Sequence, residues 1–126
     1  MTNVMKTDVV IAGTGVGGLF CALHLPKDTN IILITKGELE ECDSYLAQGG
    51  ICMLKNDADY DSYFEDTLRA GHYENNRESV DIMLRESQDT IKELVECGVD
   101  FERNEDGSFA FTKEGAHSTP RILFHE

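Results

Sequence analysis

The 126-residue chain is 40% hydrophobic with 11 glycines, enough apolar material for a folded core and too much for a disordered chain. Its 11 basic and 24 acidic residues give a net charge of −13, which repels phosphates and excludes nucleic acid and anionic membrane surfaces as partners. The acid is unevenly placed: residues 57–106 hold 16 Asp and Glu against 5 Arg and Lys, and residues 1–56 hold 6 against 4.

Residues 7–12, TDVVIA, are β-branched and apolar, the pattern of a strand buried on both faces. Glycines at 13, 15, 17 and 18 change the rhythm. Residues 18–25 then read as a short helix that Pro26 stops, and residues 31–35, IILIT, as a second buried strand. Strand, glycine turn, helix and strand over about residues 7–36 make a βαβ unit with parallel strands, and so an α/β fold class. Lys36 to Ala47 is polar and loop-like, and residues 48–56, QGGICMLKN, carry two glycines after Gln48 and run into a short extended piece. Asp61 is expected to cap a helix that runs to about Ala70 and closes at Gly71. Asn76 caps the clearest helix, in which Val80, Met83, Leu84, Ser87, Ile91, Leu94 and Val95 form one stripe before Gly98 ends it. The helical segment thus covers about residues 61–98. Residues 99–103 and 109–112 flank Asn104-Glu105-Asp106-Gly107 as a hairpin with a glycine turn.

The longest uncharged stretch, Val9 to Leu25, is broken by glycines, follows Asp8 and is short of the ~20 apolar residues of a membrane span. A cytoplasmic protein without a targeting segment is expected. Cys21, Cys42, Cys52 and Cys97 form no C-x-x-C pair and no zinc spacing, so no metal site is expected and the thiols read as buried and reduced.

Gly13-Thr14-Gly15-Val16-Gly17-Gly18 satisfies G-x-G-x-x-G between a strand and a helix, the context that the pattern requires. The first glycine permits the tight turn, the second lets backbone approach a pyrophosphate, and the third lets helix and strand pack closely. The helix N-terminus attracts the phosphate charge. The acidic residue that a nicotinamide dinucleotide site places about 20 positions later is missing, because the second strand ends in Thr35-Lys36-Gly37 and Glu38 falls in the loop. Lys36 either meets a nucleotide phosphate or ribose or is an ordinary surface lysine. Gln48-Gly49-Gly50 after a loop leaves backbone open to a flat ligand, or is a simple turn.

Taken in succession, TDVVIAGTGVGGL, LITKG, SYLAQGGI, DSYFEDTLRAG and TKEGAHSTPRIL resemble the flavoprotein family of succinate dehydrogenase and fumarate reductase, over about Thr7 to Leu123. Within that family the sequence is most similar to the branch that oxidises L-aspartate. The resemblance implies a Rossmann-like FAD-binding domain with a parallel sheet, of which residues 1–126 are the N-terminal part. It implies FAD rather than a nicotinamide cofactor, held at Gly13, Thr14, Gly15, Val16, Gly17 and Gly18. Lys36 would lie by the adenosine, and Asp43, Ser44, Ala47, Gln48, Gly49 and Gly50 would wrap the ribityl chain and ring. Succinate dehydrogenases carry a His that attaches the flavin covalently. Asp43 stands at that place here, so a non-covalent FAD is implied.

Lys113-Glu114-Gly115-Ala116-His117-Ser118 resembles the family's R-E-G-G-H-S segment, with Lys113 for Arg and Ala116 for Gly. Glu114 would pair with the ammonium of L-aspartate, which succinate and fumarate lack, unless it is an exposed glutamate of an acidic protein. His117 sits near the flavin or a substrate carboxylate, or is structural. Arg121 serves a carboxylate or pairs with one of the surplus acids. Glu114 and His117 are the substrate-binding candidates, in a segment, about residues 99–121, that holds the hairpin and a substrate-side loop. No catalytic residue is assigned, since the family's acid/base arginine is expected beyond residue 126. The implied reaction is flavin-dependent oxidation of L-aspartate to iminosuccinate with O2 or fumarate as electron acceptor. Its product would feed quinolinate synthase and the de novo synthesis of NAD. The chain by itself is expected to be an inactive fragment. A soluble fumarate reductase or succinate dehydrogenase flavoprotein and a non-catalytic nucleotide-binding module are the alternatives.

Overall fold

A computed structural model describes residues 4–125, in two compact units that divide between Gln48 and Gly49. In the first unit, β1 (Val9–Ala12) pairs in parallel with β2 (Ile31–Ile34), Val9 opposite Ile31 and Ala12 opposite Ile34. α1 (Val16–His24) makes the connection, and its C-cap Leu25 precedes Pro26, whose ring cannot continue a helix. Asp8 pins the entry to β2 by accepting from the Asn30 backbone N–H and its side-chain amide, each at 2.9 Å, and these bonds hold its carboxyl below the usual range.

Three expectations need correction here. α1 begins at Val16 rather than Gly18, so Gly17 and Gly18 lie in its first turn. The strands are not buried on both faces: β1 alternates partly buried and exposed residues with Val10 58% exposed, and Ile34 at the end of β2 is 51% exposed, so one face of the pair is left open among the described residues. The segment read as a loop from Lys36 to Ala47 contains a 3-10 turn, Leu39–Glu41, and the short α2 (Asp43–Leu46).

The second unit pairs β3 (Ile51–Cys52) antiparallel with β4 (Ile122–Leu123) and packs α3 (Tyr60–Ala70) against α4 (Arg77–Glu96). α4 starts as its sequence indicates, the Asn76 side chain accepting from Ser79 N at 3.0 Å. Its stripe buries Val80, Leu84 and Ile91, while Met83 at the stripe's edge is half exposed. Leu54, Tyr63, Leu68, Val80 and Leu84 form one core cluster, and Met53, Ile91, Phe101 and Leu123 a second. The hairpin closes with Arg103 opposite Phe109 and Gly107 at φ 83°, a left-handed position that favours glycine.

α3 does not start with Asp61 as its cap. It grows out of a 3-10 turn, Asp57–Asp59, so Asp59 precedes the helix and Asp61 lies in its first turn. The cysteines also depart from expectation. All four are free, but Cys21 and Cys97 are exposed and Cys42 and Cys52 only partly buried. Among the described residues no helix is long and apolar enough to cross a membrane, and no group of His, Cys, Asp and Glu is arranged to hold a metal ion.

Candidate functional site

In the first unit, the ends of β1 and β2 open onto a cleft of about 800 Å³. Six of the residues singled out in the sequence line it: Gly13, Thr14, Gly15, Lys36, Asp43 and Ser44. Gly13 reaches it at φ 112°, while its N–H extends the strand ladder to the Ile34 carbonyl at 2.8 Å. Gly15 and Ser44 sit close together, since a Cβ on Gly15 would lie 3.0 Å from Ser44 Oγ, and Ser44 Oγ accepts from the Val16 N–H at 3.0 Å. Gly17 and Gly18 stand behind the cleft in the first turn of α1. A Cβ on Gly18 would collide with the Gly13 carbonyl oxygen, so the last glycine of the pattern is required by helix–strand packing. Thr14 is buried, and its hydroxyl has no hydrogen-bond partner among the described residues. Glu41, which sequence reading passed over, also lines the cleft and accepts from the Glu38 N–H at 3.1 Å. Ala47 and Gln48 close the first unit outside the cleft lining.

Gly49 and Gly50 open the second unit. A Cβ on Gly50 would collide with the Leu123 carbonyl, so this glycine is fixed by close approach of two backbones. Gly49 faces Glu114: a Cβ there would lie 3.7 Å from Glu114 Oε2. Glu114 is exposed, and among the described residues its carboxylate has no ion pair or hydrogen bond, though its charge adds to burial in raising the Cys52 thiol. His117 is partly buried and differently engaged. Its Nε2 lies 3.2 Å from Cys52 Sγ, its Nδ1 3.4 Å from an Arg121 nitrogen, and its ring meets Tyr63 edge-on. Burial raises the Cys52 thiol and, with Cys52 beside it, the Tyr63 hydroxyl, so both stay protonated near neutral pH.

The two readings of Arg121 are separated by its surroundings. It is fully buried, with Asp59 at 9% and Asp66 at 3% exposure. Its fork donates to Asp59 Oδ2 at 2.7 Å and Oδ1 at 2.9 Å, to Asp66 Oδ2 at 2.7 Å and to Ser62 Oγ at 2.7 Å. Asp66 Oδ2 also accepts from the Ser118 N–H and hydroxyl, each at 2.6 Å, and Oδ1 from Arg69 at 2.6 Å. Burial pushes the Asp66 carboxyl up, but the Ser118 bonds and the Arg121 charge outweigh it and hold the group well below the usual carboxylate range. Arg121 is therefore satisfied inside the protein. Sequence reading missed Asp59 and Asp66, whose one signal was their place on either side of the α3 start in a chain with a buried-type Arg-Ile-Leu run.

The sequence profile of the FAD binding domain family matches residues 8–126. A protein named L-aspartate oxidase from Clostridium perfringens is 47% identical over 94% of this chain, which covers 27% of that relative. One of the same name from Clostridium acetobutylicum is 49% identical over the same shares. A solved structure of E. coli quinol fumarate reductase superposes with a TM-score of 0.85 at 25% identity, over 95% of this chain and 21% of that one. The chain thus spans about a quarter of the length of the curated relatives it matches.

Proposed function

Because the chain belongs to the FAD binding domain family, we propose that it is the cofactor-cleft and substrate-loop portion of a flavoenzyme that oxidises L-aspartate to iminosuccinate. The names of the relatives support the reaction class. The observation that carries the substrate is Glu114, an exposed carboxylate beside Gly49 with no ion pair or hydrogen bond among the described residues. A dicarboxylate without an amine would be repelled there, and L-aspartate brings an ammonium that answers the charge.

The first-unit cleft suits the nucleotide end of FAD. The buried, unpartnered Thr14 hydroxyl is a donor in need of an acceptor, and the Gly13–Gly18 turn and the N-terminus of α1 favour a pyrophosphate. Lys36 would lie by the adenosine. Asp43 and Ser44 would meet the ribityl side, with Ala47, Gln48, Gly49 and Gly50 toward the ring. A carboxylate at position 43 forms no covalent bond to the flavin, so the cofactor is held by these contacts alone. When bound, FAD supplies the two-electron oxidation. The chain's own part is to orient: Glu114 holds the amine, and His117 stiffens the loop that carries it. O2 or fumarate as acceptor, delivery of the product to quinolinate synthase for NAD synthesis and a cytoplasmic location belong to the same reading.

Glu114→Gln in the full-length protein is expected to raise the KM for L-aspartate by about tenfold to a hundredfold, the value of one lost charge-assisted contact. Steady-state kinetics with L-aspartate and succinate checks it. An unchanged KM for L-aspartate would remove the argument for an amino-acid substrate.

A further inference from the structure

The loop that carries Glu114 is a closed excursion from the antiparallel pairing. At its base, Thr112 N donates to the Ile122 carbonyl at 2.9 Å, and Arg121 N and Ile122 N donate to the Thr112 carbonyl, each at 3.1 Å. Between those points the backbone turns through Gly115 at φ 50°, and one internal bond, His117 N to the Glu114 carbonyl at 3.3 Å, holds it. Among the described residues the Glu114 carboxylate has no hydrogen bond or ion pair, so its position is set by the backbone of the loop and its neighbours.

Those neighbours are gripped from α3. Asp66 Oδ2 takes both the backbone N–H and the hydroxyl of Ser118, and the same oxygen takes the Arg121 fork. Ser62 Oγ lies 2.8 Å from Ser118 Oγ, and Arg69, anchored on Asp66, reaches the Ala116 carbonyl at 3.4 Å. Asp59 holds the far side of the Arg121 fork with two bonds and so fixes the plane in which that fork meets Asp66. The bonds on Asp66 are charge-assisted, short and convergent, the kind that fixes geometry rather than merely filling space. We infer that Asp66 and Arg121 are positioning residues for the substrate: they clamp Ser118 at the end of the Lys113–Ser118 loop and thereby set where the Glu114 carboxylate meets the amine. This rests on the proposed oxidation of L-aspartate and adds the device that makes Glu114 effective. A shift of about 1 Å in a group that orients substrate costs on the order of a hundredfold in rate, so such a clamp has a large effect to protect.

The test is a double-mutant cycle in the full-length protein with FAD bound. Ser118→Ala removes one of the two Ser118 donors on Asp66 and leaves the buried ion pairs in place, and Ser118→Thr restores the hydroxyl. Ser118→Ala is expected to raise the KM for L-aspartate about tenfold with a much smaller change in kcat, and Ser118→Thr to recover most of it. In a Glu114→Gln background, Ser118→Ala adds little, because the clamp acts through Glu114. Amide hydrogen exchange supplies a readout apart from activity: Ser118→Ala speeds exchange across residues 113–118 and leaves α4 unchanged. An unchanged KM in Ser118→Ala, or effects of the two substitutions that multiply, overturns the inference. Wild-type protein that oxidises succinate and leaves L-aspartate untouched overturns the functional reading itself, and the role given to the loop with it.

Discussion

Arg121→Ala lowers the unfolding free energy of the protein by about 3–5 kcal/mol, the cost of stripping the partner from a buried charge. The substitution leaves Asp59 and Asp66 facing one another in the interior, each having lost its bonds to the guanidinium. Arg121→Lys loses less, since the charge remains, but the ammonium cannot reproduce the fork that spans both carboxylates and Ser62. The deficit also depends on pH in a defined direction. The folded Asp66 carboxyl is depressed, so its contribution is in place above the unfolded value of about 3.9 and drains away as pH falls below it. In the variant, protonation relieves the uncompensated charge, so the gap between wild type and Arg121→Ala narrows in acid. Urea unfolding at neutral pH and near pH 3 measures both effects. A wild-type midpoint in Arg121→Ala at neutral pH would show that the buried cluster is not held as described.

Gly18→Ala is the second large effect. The added Cβ collides with the Gly13 carbonyl oxygen and comes within 3.3 Å of Ile11 Cγ2, so α1 must move off β1. Overpacking of this kind costs about 1–3 kcal/mol. The movement carries the α1 N-terminus and the Thr14 turn with it, so flavin content falls together with stability. Gly17→Ala is the control: nothing lies within 4 Å of its Cβ, and in a helix Ala is favoured over Gly by about 1 kcal/mol. Thermal unfolding midpoints separate the two variants, and the flavin-to-protein ratio of Gly18→Ala against wild type reads the loss of cofactor. Equal behaviour of Gly17→Ala and Gly18→Ala would contradict the packing role of the last glycine.

The parts of this structure that were legible in the sequence are local. Four β-branched or apolar residues before a glycine turn, and a proline that stops the helix after it, describe β1, the end of α1 and the bend to β2 without reference to anything distant. The Asn76 cap and the Val80–Leu84–Ile91 spacing describe α4 in the same way. Long-range pairings were not legible. β3 and β4 are two residues each and about seventy positions apart, so no alternation pattern marks them. Arg121 was visible as a cation in an acidic chain, but nothing local selects Asp59 and Asp66 from the surplus acids. That choice is made when α3 packs beside the β3–β4 pairing and its first two turns face the loop. The same choice leaves α3 without a side-chain cap: Asp59 stands at its N-cap position, but its carboxylate is committed to Arg121. The cysteines depart from the burial typical of their residue type, and α1, which carries Cys21, presents much of its surface to solvent.

The most direct test of the account is anaerobic addition of substrate to the full-length protein with FAD bound, read in the visible flavin absorbance. The account predicts that L-aspartate bleaches the flavin and succinate does not, because Glu114 has a charge to satisfy and only L-aspartate carries the ammonium. Bleaching by succinate with no response to L-aspartate would contradict it.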